Sequence, residues 1–104
     1  MTLKDRRLEL HNILLGIMKN GNVYHQPPEN FKMKYPCIVY ERAKDFVLFG
    51  DNRPYNRRMN YTITLIDKDS VSNYLEQIME LPMCSYDRHF TADNLNHDVF
   101  TIYF

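Results

Sequence analysis

Asp87, His89, His97 and Asp98 are the residues of this chain whose types could do chemistry together. Imidazole nitrogens and carboxylate oxygens form the donor set of an N,O metal site, and histidine exchanges protons near neutral pH. On a pleated strand Asp87 and His89 share a face, and a short hairpin would bring His97 close enough to complete such a site. The competing explanation is plain alternation, because every second residue of a half-solvated hairpin is polar whether or not it binds anything. The spacing lacks the helical i, i+4 geometry that makes H-E-x-x-H diagnostic, so alternation is the stronger account. The expectation is a structural hairpin, with no catalytic residue, no metal and no cofactor.

Nucleophilic chemistry has less support. There is no G-x-S-x-G turn, and the glycines, Gly16, Gly21 and Gly50, are too scattered to make a phosphate cradle. Cys84 and His89 lie five residues apart, which on a regular strand points them to opposite faces. Cys37 and Cys84 form no C-x-x-C motif and are read as reduced, partly buried thiols. A second cluster, Arg53, Arg57 and Arg58 interleaved with Tyr55 and Tyr61, has the composition of a phosphate-contacting, base-stacking surface. Its alternative is a solvated hairpin tip.

Several elements would have to position these groups. Thr2 and Asp5 form a capping-box pattern ahead of Leu3, Leu10, Leu14, Ile17 and Met18 at helical spacing, with Asn20-Gly21 suited to a left-handed cap. A Pro-rich stretch follows, in which Val23 to His25 suit a short edge strand. "CIVYER" and "DFVLFG" are short β-prone runs, and in "YNRRMNYTITLID" Met59, Tyr61, Ile63 and Leu65 alternate with polar residues as a half-buried strand requires. Asp67, Asp69 and Ser70 are placed to cap a second helix with the stripe Val71, Tyr74, Leu75, Ile78 and Met79, stopped by Pro82. "CSYDRHFTA", the turn "DNLN" and "HDVFTIYF" then read as a hairpin. Tyr86, Arg88 and Phe90 share one of its faces, as do Phe100, Ile102 and Phe104.

The predicted class is α+β: a single domain with a mixed or antiparallel sheet of about four to six strands flanked by two helices. Its order is α-β-β-β-α-β-β, with residues 1–20 an N-terminal helix, 21–36 a Pro-rich loop and 37–104 the sheet with its second helix. A chain of 104 residues buries roughly two thirds of its unfolded surface, enough for one core without staples. Lys plus Arg and Asp plus Glu balance at 13 each, so no long-range field draws the whole domain to nucleic acid or anionic lipid. Near-zero charge also removes one defence against self-association. The charged start and the lack of a long apolar run predict neither a secretory signal nor a membrane span. Eight Tyr and six Met exceed what a small core needs and predict partner contacts.

"YPCIVYER", "YTITLIDKD" and above all "DRHFTADNLNHDVFT" resemble the small head-tail connector and tail-completion proteins of long-tailed bacteriophages, in particular the tail-terminator type. The resemblance spans roughly Tyr35 to Phe104 and contains no catalytic motif. It implies a virion structural subunit, not an enzyme, made in the host bacterial cytoplasm. Its copies would close into a ring, commonly a hexamer, at the head-proximal end of the tail. The implied partners are further copies, the tail tube protein and the head connector protein, with DNA nearby in the lumen and no membrane. Other connector roles, adaptor or stopper, are the nearest alternative, followed by a small metal-dependent enzyme using the Asp87/His89/His97/Asp98 hairpin. A monomeric nucleic-acid module is a third. Within the ring reading, Arg53, Tyr55, Arg57 and Arg58 are assigned to a contact between subunits or toward the lumen. Replacing Arg57 and Arg58 with Ser is therefore expected to weaken assembly or its salt dependence, measured as mass by light scattering; unchanged assembly would count against the assignment.

Overall fold

The computed structural model describes residues 2–43, 48–49 and 58–104, with the backbone alone at 48, 49 and 58. Its frame is β4, Arg58–Asp67, whose alternation puts Tyr61, Ile63 and Leu65 on one face, all buried. β2, Cys37–Arg42, pairs antiparallel with β4 on one side, matching Ile38 with Leu65 and Tyr40 with Ile63. β6, Leu95–Tyr103, does so on the other, matching Phe100 with Ile63 and Ile102 with Tyr61. Each rung therefore places apolar side chains from three strands on one face.

β1, Val23–His25, adds in parallel to β2, and β5, Cys84–Ala92, adds antiparallel to β6. β3, Leu48–Phe49, pairs with the start of β4. The sheet order is β1-β2-β4-β6-β5, and the protein is a single α+β domain with a mixed sheet.

α1, Leu3–Ile17, lies over this sheet. Thr2 Oγ1 accepts from the Asp5 N–H at 3.1 Å while Asp5 accepts from the Thr2 N–H at 3.0 Å, the reciprocal capping box the sequence predicts. Leu10, Leu14 and Met18 are fully buried against Ile38, Tyr40, Ile63, Phe100 and Ile102. The helix ends earlier than the Asn20-Gly21 pair: Met18 is its C-cap, and Gly21, at φ +81°, turns the chain afterwards by donating its N–H to the Met18 carbonyl. The opposite face of the sheet carries Val39, Thr62, Thr64 and Thr101, half-buried around buried Cys37, Ile66 and Val99.

Two expectations change, the length of the second helix and its cap. The second helix, α2, covers only Leu75–Met79, and it buries Ile78 while Val71 and Met79 stay exposed. Asp67 does not cap it. Its carboxylate accepts from Ser72 Oγ at 2.7 Å and the Asp69 N–H at 3.1 Å, so the residues expected to open the helix are held in a turn. The short edge strand that Val23 to His25 suit is present as β1, within the Pro-rich segment, and the six strands fall within the expected four to six. Of "DFVLFG", Leu48 and Phe49 are paired and the rest lies outside the described residues.

Burial of α1 on the sheet is the contact that closes the core. Leu14→Ala is expected to lower stability by about 2–5 kcal/mol, and Leu8→Ala, on the exposed face, by no more than about 0.5 kcal/mol, as read by urea unfolding followed by circular dichroism.

Candidate functional site

The histidine–acid hairpin comes apart when its register is followed. Asp93 and Asn94, at φ 53° and 63°, form a two-residue turn that matches Ala92 with Leu95. From there His89 faces Asp98 and Phe90 faces His97, which sends His89 and His97 to opposite sides of the sheet. A β-bulge then intervenes between Arg88 and Tyr86, leaving Asp87 without a rung. Tyr86 consequently joins the core face opposite Phe100, and the expectation that Tyr86, Arg88 and Phe90 share one face is corrected.

Each of the four residues has its own partner. Asp98, buried, accepts from the Tyr86 hydroxyl at 2.8 Å. His89 Nε2 meets Asn96 Oδ1 at 3.0 Å, and His97 Nδ1 meets the Leu95 carbonyl at 3.2 Å while its ring stacks on Phe90. Asp87 pairs with Arg88 at 3.2 Å in the open. Among the described residues no group of three or more His, Cys, Asp or Glu could hold a metal ion.

The bulge also brings Cys84 and His89 to the same face, contrary to expectation, since their partners Ile102 and Asp98 share it. Four residues of strand still separate those rungs, about 13 Å at the usual rise. Burial raises the thiol pKa of Cys84, and it pushes Cys37, assisted by the nearby Asp67 charge, up to about 12. Both are free thiols held in the unreactive protonated form.

Arg53, Tyr55 and Arg57 lie outside the described residues. Arg58 opens β4 opposite Phe49.

A different constellation is present where α1 meets the β1–β2 side of the sheet. A pocket of about 470 Å³ is lined by Lys4 and Arg7 from α1, His25 and Gln26 from the end of β1, Arg42 from β2 and Tyr61 from β4. Every charged group among its described lining residues is a cation. Tyr40, fully buried behind it, accepts from Arg7 Nη1 at 3.2 Å, and its hydroxyl lies 2.7 Å from His11 Nδ1. A guanidinium only donates, so the Tyr40 hydrogen is left for His11. His25 packs on the Tyr40 ring with centroids 4.8 Å apart. Burial, and then the positive charge of Arg7, lowers the pKa of both His11 and His25, with His11 a further repulsive neighbour of His25. The arrangement is a donor-rich cavity whose field favours carboxylate or phosphate oxygens.

Reading single elements missed this cluster because its members come from four of them. Two signals were nevertheless present: Lys4, Arg7 and His11 follow one another at i, i+3 and i+7 on α1, and Arg42 falls on the same strand face as Ile38 and Tyr40. Among the described residues no helix is long and apolar enough to cross a membrane. Comparison of the chain with protein-family models, curated proteins and solved structures gives no match.

Because the folded chain holds His11 and His25 below their ordinary pKa of 6.5, the unfolded chain binds more protons as the medium is acidified. Their contribution to stability is complete above that value and is lost as the pH falls through and below it. Urea midpoints are expected to drop from pH 7 to pH 5. His25→Phe, which keeps a ring against Tyr40, should flatten that slope; an unchanged slope would show that His25 is not held neutral.

Proposed function

We propose that this protein is a structural subunit that closes with its own copies into a ring at the head-proximal end of a phage tail, ending tube polymerisation and joining tail to head. The observation that carries this reading is the placement of two sheet edges at opposite ends of the strand order, each without a further strand among the described residues and each beside exposed apolar side chains. β1 forms one edge, with Phe31 and Tyr35 exposed on the adjoining loop, where Phe31 packs edge-on against Tyr24. β5 forms the other, with Met79, Met83, Tyr86 and Phe90 exposed around it. Self-assembly into a closed ring requires two different surfaces on opposite sides of each subunit, because a rotation joins one to the other around the cycle. Burying large apolar groups would supply the association energy.

The likeness of the segment from Tyr35 to Phe104 to tail-terminator proteins supplies the setting, and an adaptor or stopper at the same junction would use the same two-sided geometry. The dispersal of Asp87, His89, His97 and Asp98 among separate partners gives the metal-enzyme alternative no constellation to work with among the described residues.

Light scattering across a concentration series at low and high salt, followed by negative-stain imaging, tests the proposal. Discrete higher-mass species that image as closed rings are expected. A strict monomer at every concentration would count against the reading.

A further inference from the structure

The balanced charge of the chain conceals a division. Residues 2–43 carry seven Lys or Arg against four Asp or Glu, whereas residues 59–104 carry two against seven. The fold turns this division along the sequence into one across space. The first segment supplies β1 and β2, and α1, which presents Lys4 and Arg7 to the β1 side while its Arg6 lies over Phe104 next to Met83; the second supplies α2, β5 and β6 and therefore the β5 side.

On the β1 side the positive charge of Lys4, Arg7 and Arg42 converges on one pocket. On the β5 side the carboxylates are presented outward. Glu76, in α2, and Glu80, its C-cap, are exposed about one turn apart, and Asp87 is exposed at the bulge of the edge strand. Met79, which lies between Glu76 and Glu80 in the chain, and Met83, in a pocket wall shared with Arg6, are 50% and 57% exposed and add apolar surface.

We propose that the cationic pocket on the β1 side of one copy receives the carboxylates of the α2–β5 side of the next, making this the contact that joins subunits head to tail. The inference rests on the ring reading and specifies its interface and its polarity. Both surfaces belong to the helix-bearing layer of the sheet, since α1 and α2 contribute Leu10 and Ile78 to the same core. The contact is made by side chains and not by strand addition. The bulge at Asp87 interrupts the β5 edge, and a charged, bulged edge is a poor template for another strand. Complementary charge sets which side meets which and accelerates encounter, while the methionines and Tyr86 supply burial.

Two charge-reversed proteins test this. K4E/R42E makes both sides acidic, and E76K/E80K makes both sides basic; all four residues are exposed. Each protein alone is expected to need at least about tenfold higher concentration than the unaltered chain to assemble, in sedimentation velocity at low salt. An equimolar mixture should assemble again, because the two alternate around an even-numbered ring with every contact restored. K4E alone, which leaves Arg42 in place, guards against a folding defect and should give a smaller shift in the same direction.

If the unaltered chain and both variants form rings at the same concentration, the charge-joined interface is overturned and the ring reading stands. If neither the unaltered chain nor the mixture assembles at any concentration, both fail. A fluorescent single-stranded oligonucleotide covers the remaining outcome: loss of its binding in K4E/R42E with assembly unchanged would assign the pocket to a phosphate backbone and overturn the proposal.

Discussion

Burial of one face of β4 between β2 and β6 is the constraint from which the remaining structure follows. Tyr61, Ile63 and Leu65 have no access to water only because Tyr40 and Ile38 flank them on one side and Phe100 and Ile102 on the other, with α1 laid across all three strands. That stack decides which face of every neighbouring strand is apolar, since slipping any strand by one residue would turn its whole apolar set outward. The two outer strands are freer. β1 is three residues long, and β5 is exposed at every position except Cys84.

What the sequence made legible follows the same division. Thr2 and Asp5 announced the start of α1 and the alternation in "YTITLID" announced β4, because each is a local pattern with one physical solution. The second helix was over-extended because Asp67, Asp69 and Ser70 are good caps in isolation. Ser72 competes for the Asp67 carboxylate, and that contact across the turn cannot be seen in a propensity pattern. The hairpin was legible in its limits but not in its facing, since the bulge adds one residue that no composition signal marks. The basic pocket was the least legible feature. It gathers residues that are remote in the chain and individually unremarkable, and only the parallel addition of β1 to β2 brings His25 to Arg7 and Arg42.

Polar groups at element boundaries in this protein are tied into small hydrogen-bonded groupings. Arg7, Tyr40 and His11 form one across the helix–sheet boundary, and Tyr86 with Asp98 forms another at the β5–β6 boundary. Each joins a peripheral element to a central strand by a directional bond, which apolar packing alone does not provide. The first also presents positive charge at the rim of a cavity while its phenol stays in the core. One arrangement thus serves both the seating of α1 and the character of the surface above it.

The bulge in β5 reconciles two parities that the hairpin would otherwise set against each other. Counting back from the two-residue turn at Asp93 and Asn94, an unbroken ladder would put Asp87 opposite Phe100 and Ser85 opposite Ile102. The inserted residue shifts the count by one, so Tyr86 and Cys84 take those places instead. The distal half of the hairpin keeps time with its turn, and the proximal half keeps time with the core. Asp87 is the beat dropped between them: a residue whose value to the fold is to occupy one position in the chain and none in the ladder.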